Sequence, residues 1–259
     1  MHLKKLIALF LLISHFCYAN DELKLYTEDS PPLNYFKDGK LTGPAIDIVQ
    51  AIQNDIKSNH TVEALPWKRA IFTTLKNKNS AIFSIARSQN REELFNWVGP
   101  IAIKEYALYS LKKNNIIINS LDNIADYTVG VQKGSVSQEY LQTQGEITMY
   151  SVIKPLQCLQ MLMKDRIDFW YTDSDSIANL AKKMQLPLNL FIKSKVINKA
   201  NFYIAFNKET SSKTVILWQK TYQKLYKAKV IEAIFTKHNM LSLYPKKMNF
   251  TSIKNSVVY

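Results

Sequence analysis

The segment FSIARSQNREELFNWVGP, residues 83–100, decides the fold that we expect for this chain of 259 residues. It continues an apolar strand, residues 81–85, into a polar turn that carries two guanidinium groups, Arg87 and Arg91. In open α/β sheets, ligands bind just beyond the carboxyl ends of the strands. A guanidinium donates two parallel, charge-assisted hydrogen bonds to a carboxylate, so this position predicts an anion site. The same spacing also fits a surface turn in which the arginines pair with the neighbouring glutamates.

Composition and charge indicate a globular protein with a sizeable core. Apolar residues make up 47% of the chain, and its length suits one large or two medium domains. The formal charge of +13 comes from lysines that are scattered along the sequence without a nucleic-acid-binding motif. We interpret this charge as a solvated surface that favours anionic partners, and we expect no nucleic acid to bind.

The first 19 residues have the pattern of a secretory signal peptide. A basic start with Lys4 and Lys5 precedes a short apolar run and the small residue Ala19. The run is too short to cross a bilayer, and Phe16 before Cys17 argues against lipidation. A buried N-terminal helix is the alternative. We expect residues 1–19 to be removed and the remainder to be a free protein in the periplasm of a Gram-negative cell.

The residues that metal sites and enzymes need are sparse in this sequence. Removal of a signal peptide leaves Cys158 alone, so no intramolecular disulfide forms, and we expect this side chain to pack as a small hydrophobe. The four histidines lie far apart along the chain. Nucleophile, phosphate-loop and dinucleotide motifs are also missing from the sequence. We therefore expect no metal, no cofactor and no catalytic residue.

Polar loops follow other predicted strands as well. The loop after the first strand contains two prolines, which fix an extended path and position Tyr35 for a ligand. The turn with Gln132, Gly134 and Ser135 precedes a helix, where free N–H groups attract an anion, although Gly-Ser is also ordinary capping chemistry. Asp173 follows a third strand, where it can cap the next helix.

The order of these motifs resembles the family 3 periplasmic solute-binding proteins, the polar-amino-acid binders of ABC transporters. The opening segment is similar to the family's Ser-x-Thr-x-x-x-x-Arg segment, with Ser84 and Arg91 at matching positions. The fragment from Gly43 to Ile48 is similar to the family's Gly-x-x-x-Asp-Ile. Ala86 departs from the pattern, because the family has a hydroxyl residue there.

The resemblance implies an α/β protein with the two-lobed, type II periplasmic-binding-protein fold and a ligand cleft between the lobes. We place lobe 1 at residues 20–110 plus 202–259 and lobe 2 at residues 111–201, with crossings near Tyr109 and Phe202. This division also fits the helix, strand and polar loop that occur in the same order twice along the chain.

The resemblance further implies a role for each site residue. Arg91 would hold a ligand carboxylate, assisted by Ser84 and by backbone N–H groups near Ser88. Asp173 would take an amine. Arg87 is an additional cation, which either replaces Arg91 or binds a second acid of the ligand.

The function implied is that of a monomeric binding protein. It would close its hinge on an amino acid or related carboxylate and deliver it to an inner-membrane ABC permease. Two alternatives stay open, namely a secreted enzyme of the dehydratase type on the same fold and a ligand-sensing partner of a membrane receptor. The sequence does not identify the side chain of the ligand.

Overall fold

The computed structural model describes residues 22–118, 120–246 and 248. The signal peptide predicted for residues 1–19 lies outside the described residues. Within the described ranges, no helix combines the length and the apolar character that a membrane span needs.

The described part of the chain contains eleven strands and seven α-helices. The strands are β1 Lys24–Thr27, β2 Tyr35–Lys37, β3 Lys40–Thr42, β4 Val62–Ala64, β5 Ser80–Ala86, β6 Phe95–Leu111, β7 Thr128–Gln132, β8 Thr148–Val152, β9 Phe169–Asp173, β10 Phe191–Lys193 and β11 Asn198–Asn207. The helices are α1 Pro44–Asp55, α2 Trp67–Lys76, α3 Val136–Gln142, α4 Pro155–Met163, α5 Ser174–Lys183, α6 Ser212–Lys227 and α7 Val230–Lys237.

Nine of these strands form one hydrogen-bonded network in the order β4-β1-β5-β11-β6-β9-β7-β8, with β10 added to β6. The 17-residue strand β6 lies in the middle of this network and pairs with strands on both sides. Its first part pairs antiparallel with β11, and its last part pairs with β9 and β10. We call β4-β1-β5-β11-β6 the first half-sheet and β6-β9-β7-β8 with β10 the second half-sheet.

Helices cover both faces of each half-sheet. Ile48 of α1, Trp218 of α6 and Ile231 of α7 pack in one large core cluster, which covers one face of the first half-sheet and extends to Phe169 in the second. Ala70 of α2 packs on the opposite face of the first half-sheet. The strands β4-β1-β5 and β9-β7-β8 are parallel, whereas β6, β10 and β11 pair antiparallel with their neighbours. Helix layers on such a mixed sheet are the α/β arrangement that the sequence predicts.

Helices α4 and α5 cover the remaining face of the second half-sheet. Cys158 of α4 is buried there beside Trp170 and Ile177, and it is a free cysteine. Burial raises the pKa of its thiol to about 12, which keeps it protonated. The prediction that Cys158 packs as a small hydrophobe is confirmed.

The turn before α1 depends on a glycine. Gly43 has a φ of 121°, a conformation that L side chains rarely adopt. A Cβ atom at this position would overlap the carbonyl oxygen of Leu33. The loop that follows β1 therefore packs against the start of α1 only when this residue has no side chain.

The main differences from the expected elements concern the long strand. The expected strand of residues 105–112 begins ten residues earlier, at Phe95. It passes through Gly99 and Pro100, where the pairing with β11 shifts register, and such a bulge accommodates a residue without an N–H group. The strand expected at residues 188–192 is wrong in its first half, because Leu188–Leu190 is a 3-10 turn. The lobe boundaries stay a prediction.

Candidate ligand-binding site

A cavity of about 90 Å³, here called the central cavity, lies at the strand ends of the two half-sheets. Its lining residues come from both half-sheets and from the loops beside them. They are Glu28, Ser30, Trp67, Ser84, Ala86, Arg91, Lys104, Tyr106, Gln132, Ser135, Val136, Ser137, Pro155, Trp170, Tyr171, Thr172, Asp173, Ser176 and Phe202.

Arg91 is the cation that the end of β5 presents to this cavity. The residue is only 4% exposed, and its Nη1 donates to the carbonyl oxygen of Ala86 at 3.0 Å. Its Nη2 donates to the carbonyl oxygen of Gly134 at 3.0 Å and to Oε1 of Glu139 at 2.5 Å. The guanidinium also lies 5.5 Å from the ring centre of Trp67. Arg91 therefore holds a carboxylate, and in this structure that carboxylate belongs to helix α3.

Further hydrogen bonds cross between the half-sheets near Arg91. Ser88 Oγ donates to Oε2 of Glu139 at 2.7 Å, and Trp67 Nε1 donates to the carbonyl oxygen of Gly134 at 2.9 Å. Trp67 also lines the central cavity. Together with Arg91, these contacts join the turn after β5 and the start of α2 to the turn before α3.

A second ion pair lies at the end of β9. Lys104 Nζ lies 3.3 Å from Oδ1 of Asp173, and both side chains are buried, at 4% and 6% exposure. Asp173 is also the N-cap of α5, where it accepts from Ser176 N at 3.0 Å and from Ser176 Oγ at 2.6 Å. Asp173 therefore caps α5, as one of its two interpretations expected. Its binding of a ligand amine stays a prediction, and in this structure the ammonium beside it is that of Lys104.

Glu28, directly after β1, adds a carboxyl group to the cavity. Gln132 Nε2 donates to its Oε1 at 3.1 Å across the two half-sheets. Burial raises the pKa of the Glu28 carboxyl to about 7, although the hydrogen bond from Gln132 and the positive charge of Lys104 each lower this pKa. Near neutral pH the group is thus divided between its protonated and its charged form. The predicted ligand residue Gln132 lies at the cavity, where it contacts this carboxyl.

Arg87 lies away from the central cavity. It forms an ion pair with Glu92, five residues along the chain, and its guanidinium lies 5.6 Å and 5.5 Å from the ring centres of Trp97 and Tyr203. It lines a separate outer cavity of about 380 Å³, together with Ser88. In this structure Glu92 and the two aromatic rings surround the guanidinium of Arg87, and a role of Arg87 in binding a ligand stays a prediction.

The remaining predicted residues divide between the cavity and the structure around it. Ser84 lines the cavity, and its buried Oγ has no hydrogen-bond partner among the described residues. Ser135 caps α3 by accepting from Gln138 N at 3.3 Å. Two N–H groups of this turn are used within it, since Gly134 N donates to Gln138 Oε1 at 2.7 Å and Ser135 N donates to the carbonyl oxygen of Gln132 at 3.2 Å.

Tyr35 is a further predicted site residue that lies away from the central cavity. It opens β2 and pairs with Thr42 of β3. Tyr35 lines neither the central cavity nor the outer cavity. The prolines before it therefore position the loop that carries Glu28 and Ser30 rather than this aromatic ring.

Sequence reasoning missed Lys104, Glu28 and Glu139. Lys104 had a signal, because it is a lysine within the mostly apolar strand IAIKEYALY. Glu28 directly follows a buried strand, which is also a recognisable position. Glu139 lies in a short helix, and nothing in its local sequence marks it. Within the described ranges, no group of three or more metal-ligating side chains comes together.

The model of the bacterial extracellular solute-binding proteins, family 3, matches this chain over residues 23–240. The chain belongs to this family. Its fold is accordingly the two-lobed fold of the periplasmic binding proteins, with the ligand cleft between the lobes. The resemblance stated from the motifs and the predicted fold class are confirmed.

Individual relatives of this solute-binding protein are distant. The probable amino-acid-binding protein YxeM of Bacillus subtilis (strain 168) is 26% identical over 174 residues. That alignment spans 63% of each protein, so the chain covers less than two thirds of this relative. A histidine kinase sensor domain similar to periplasmic binding proteins has 15% identity and a TM-score of 0.77, covering 86% of this chain and 97% of its own. An ancestral arginine-binding protein bound to arginine has 21% identity and a TM-score of 0.72, covering 83% and 96%.

Proposed function

We propose that this protein captures a small polar ligand, an amino acid or a related carboxylate, in the central cavity. The observation that carries the proposal is the buried guanidinium of Arg91, which already holds the carboxylate of Glu139 at 2.5 Å. The position is built for a carboxylate, and a ligand that presents one can replace Glu139.

The donors of Arg91 support this exchange. A guanidinium has five N–H donors, and three of those on Arg91 have acceptors among the described residues. Arg91 also lines the central cavity, so departure of Glu139 would free a donor there for a ligand. A hydrogen bond that involves a charged group contributes roughly 1.5–3 kcal/mol, so this one side chain can supply much of the affinity for a small acid.

The connections between the half-sheets suit a protein that closes on its ligand. We propose that β6 and β11 form the crossings between the predicted lobes, because both strands are long and pair with each other. The hydrogen bonds of Trp67, Ser88 and Gln132 across the cleft would then form on closure. Hinge closure of this kind is common among binding proteins.

We further propose that the protein is a monomer located outside the cytoplasm. After closing on its ligand, it would deliver the ligand to an ABC permease. The support is membership of a family of extracellular solute-binding proteins. The enzyme alternative finds no comparable support, since the matching family model describes solute-binding proteins. A receptor partner would also bind its ligand, so delivery to a permease is the step that separates this proposal from that alternative.

A ligand screen with a turnover control tests this proposal. The protein is refolded to remove carried-over ligand and then mixed with amino acids and related carboxylates while its melting temperature is recorded. We expect at least one acid to raise the melting temperature, with no product formed on long incubation. Steady product formation would identify an enzyme, and the absence of a shift with every compound would contradict the binding function.

A further inference from the structure

We propose that Lys104 makes this site select carboxylic acids that carry a keto or hydroxyl oxygen where an α-amino acid carries its ammonium group. The inference rests on the proposed function, and it narrows the ligand class from amino acids and related acids to acids without the α-amine. Lys104 would thereby be a specificity-determining residue.

The first observation is that Asp173 is already supplied with donors. It accepts from the N–H and the hydroxyl group of Ser176, and Lys104 Nζ lies 3.3 Å from its Oδ1. The charge of this carboxylate is balanced by a buried ammonium. A ligand ammonium would therefore find an acceptor that is largely occupied and already neutralised.

The second observation concerns repulsion between like charges. Lys104 lines the central cavity, and its Nζ lies 5.5 Å from the ring centre of Phe202. A ligand ammonium placed against Asp173 would approach this buried cation, and two like charges repel strongly where water is excluded. The nearby carboxyl of Glu28 offers limited compensation, because its pKa of about 7 leaves it partly protonated at neutral pH.

The third observation is the donor capacity of Lys104 itself. An ammonium has three N–H donors, and Asp173 is the single acceptor that Nζ contacts among the described residues. Two donors remain beside the cavity, and a keto or hydroxyl oxygen is an acceptor that can take them. The same cavity presents Arg91 for the carboxylate. Arg91 and Lys104 together would thus recognise a 2-oxo or 2-hydroxy acid.

The test uses matched pairs of compounds that differ at the amine alone. Pyruvate with alanine, 2-oxoglutarate with glutamate, and phenylpyruvate with phenylalanine are titrated into the protein by calorimetry. For at least one pair we expect the oxo acid to bind at least about tenfold more tightly than the amino acid.

Two variants distinguish specificity from structural damage. Lys104→Met removes the ammonium but leaves Asp173 buried and unpaired, whereas Lys104→Met combined with Asp173→Asn removes both charges and keeps a capping residue. In the double variant, we expect the oxo acid to bind less than about threefold more tightly than its matching amino acid. Lys112→Met, at an exposed lysine in the turn after β6, is the control and should keep the wild-type ratio.

The possible outcomes separate this inference from the proposed function. Tighter binding of the amino acids, or an unchanged affinity ratio in the double variant, would overturn the role of Lys104 while leaving a binding protein. Binding of neither member of any pair would overturn the proposed capture of small carboxylates, and the inference with it.

Discussion

Arg91 Nη2 lies 2.5 Å from Glu139 Oε1, and this ion pair joins the turn after β5 to helix α3 across the two half-sheets. Arg91 is nearly fully buried, whereas the side chain of Glu139 is 19% exposed. The cation is therefore fixed within the site, and the carboxylate at its edge is the partner that can leave. If Arg91 binds a ligand carboxylate as proposed, Glu139 would compete with that ligand.

Replacing Glu139 by Gln should strengthen the binding of an acidic ligand. The amide keeps a hydrogen-bond acceptor for Arg91 but removes the competing charge, and charge-assisted bonds are about twice as strong as neutral ones. We expect an affinity increase of about fivefold by calorimetry. Glu146→Gln, at an exposed glutamate, is the control and should change nothing. Weaker binding in Glu139→Gln would mean that Glu139 supports the bound state instead of competing with the ligand.

The Glu28 carboxyl should make stability depend on pH. Its folded-state pKa of about 7 exceeds the ordinary value of 4.5, so the folded protein holds this proton more tightly than the unfolded chain does. The contribution to stability is therefore fully present below pH 4.5 and is lost as the pH rises toward 7.

Glu28→Gln should remove this dependence. We expect it to raise the free energy of unfolding by up to about 3 kcal/mol at pH 8 and to give no gain at pH 4, as measured by urea denaturation. Glu93→Gln, at an exposed site, provides the matched control. An equal effect of Glu28→Gln at both pH values would show that the carboxyl does not titrate near neutrality in the folded protein.

A pair of glycine variants tests the packing of the loop that carries Glu28. Gly43 and Gly39 both have positive φ, 121° and 74°, but a Cβ atom would overlap the Leu33 carbonyl at Gly43 and meets nothing within 4 Å at Gly39. Gly39→Ala should cost about 1 kcal/mol through backbone strain alone. Gly43→Ala should cost at least about 2 kcal/mol more, because the backbone itself must shift. Equal losses in thermal unfolding would argue against this close approach.

Local sequence patterns predicted most helices and strands. They also predicted one residue of each pair that meets across the half-sheets or in the cavity, namely Arg91, Asp173 and Gln132. The apolar run before the polar turn located β5, and Arg91 lies at its end as expected. The partner of Arg91 was not predictable, because Glu139 is 48 residues away and meets it only through the fold. Arg87 and Glu92 are only five residues apart. Pairing of the arginines with neighbouring glutamates was therefore one of the two interpretations of this turn, the other being an anion site.

Two other features were missed for different physical reasons. Pattern reasoning treats a lysine in a strand as solvent-exposed, yet Lys104 is buried because Asp173, 69 residues away, balances its charge. The Gly-Pro pair of residues 99 and 100 reads as the end of a strand. In the folded chain a bulge against β11 accommodates it, and β6 continues.

The most direct test of the central claim is calorimetry with Arg91→Ala and Arg87→Ala, using the acid that gives the largest thermal shift with the wild-type protein. Each substitution breaks one ion pair, but the Arg91 side chain is 5% exposed and that of Arg87 is 27% exposed, so the thermal unfolding of both variants is recorded beside their affinities. We expect Arg91→Ala to lose at least tenfold in affinity and Arg91→Lys not to restore it, because an ammonium cannot reproduce the planar fork. Arg87→Ala should keep its affinity within about threefold. Wild-type affinity in Arg91→Ala, with a loss in Arg87→Ala, would contradict the account.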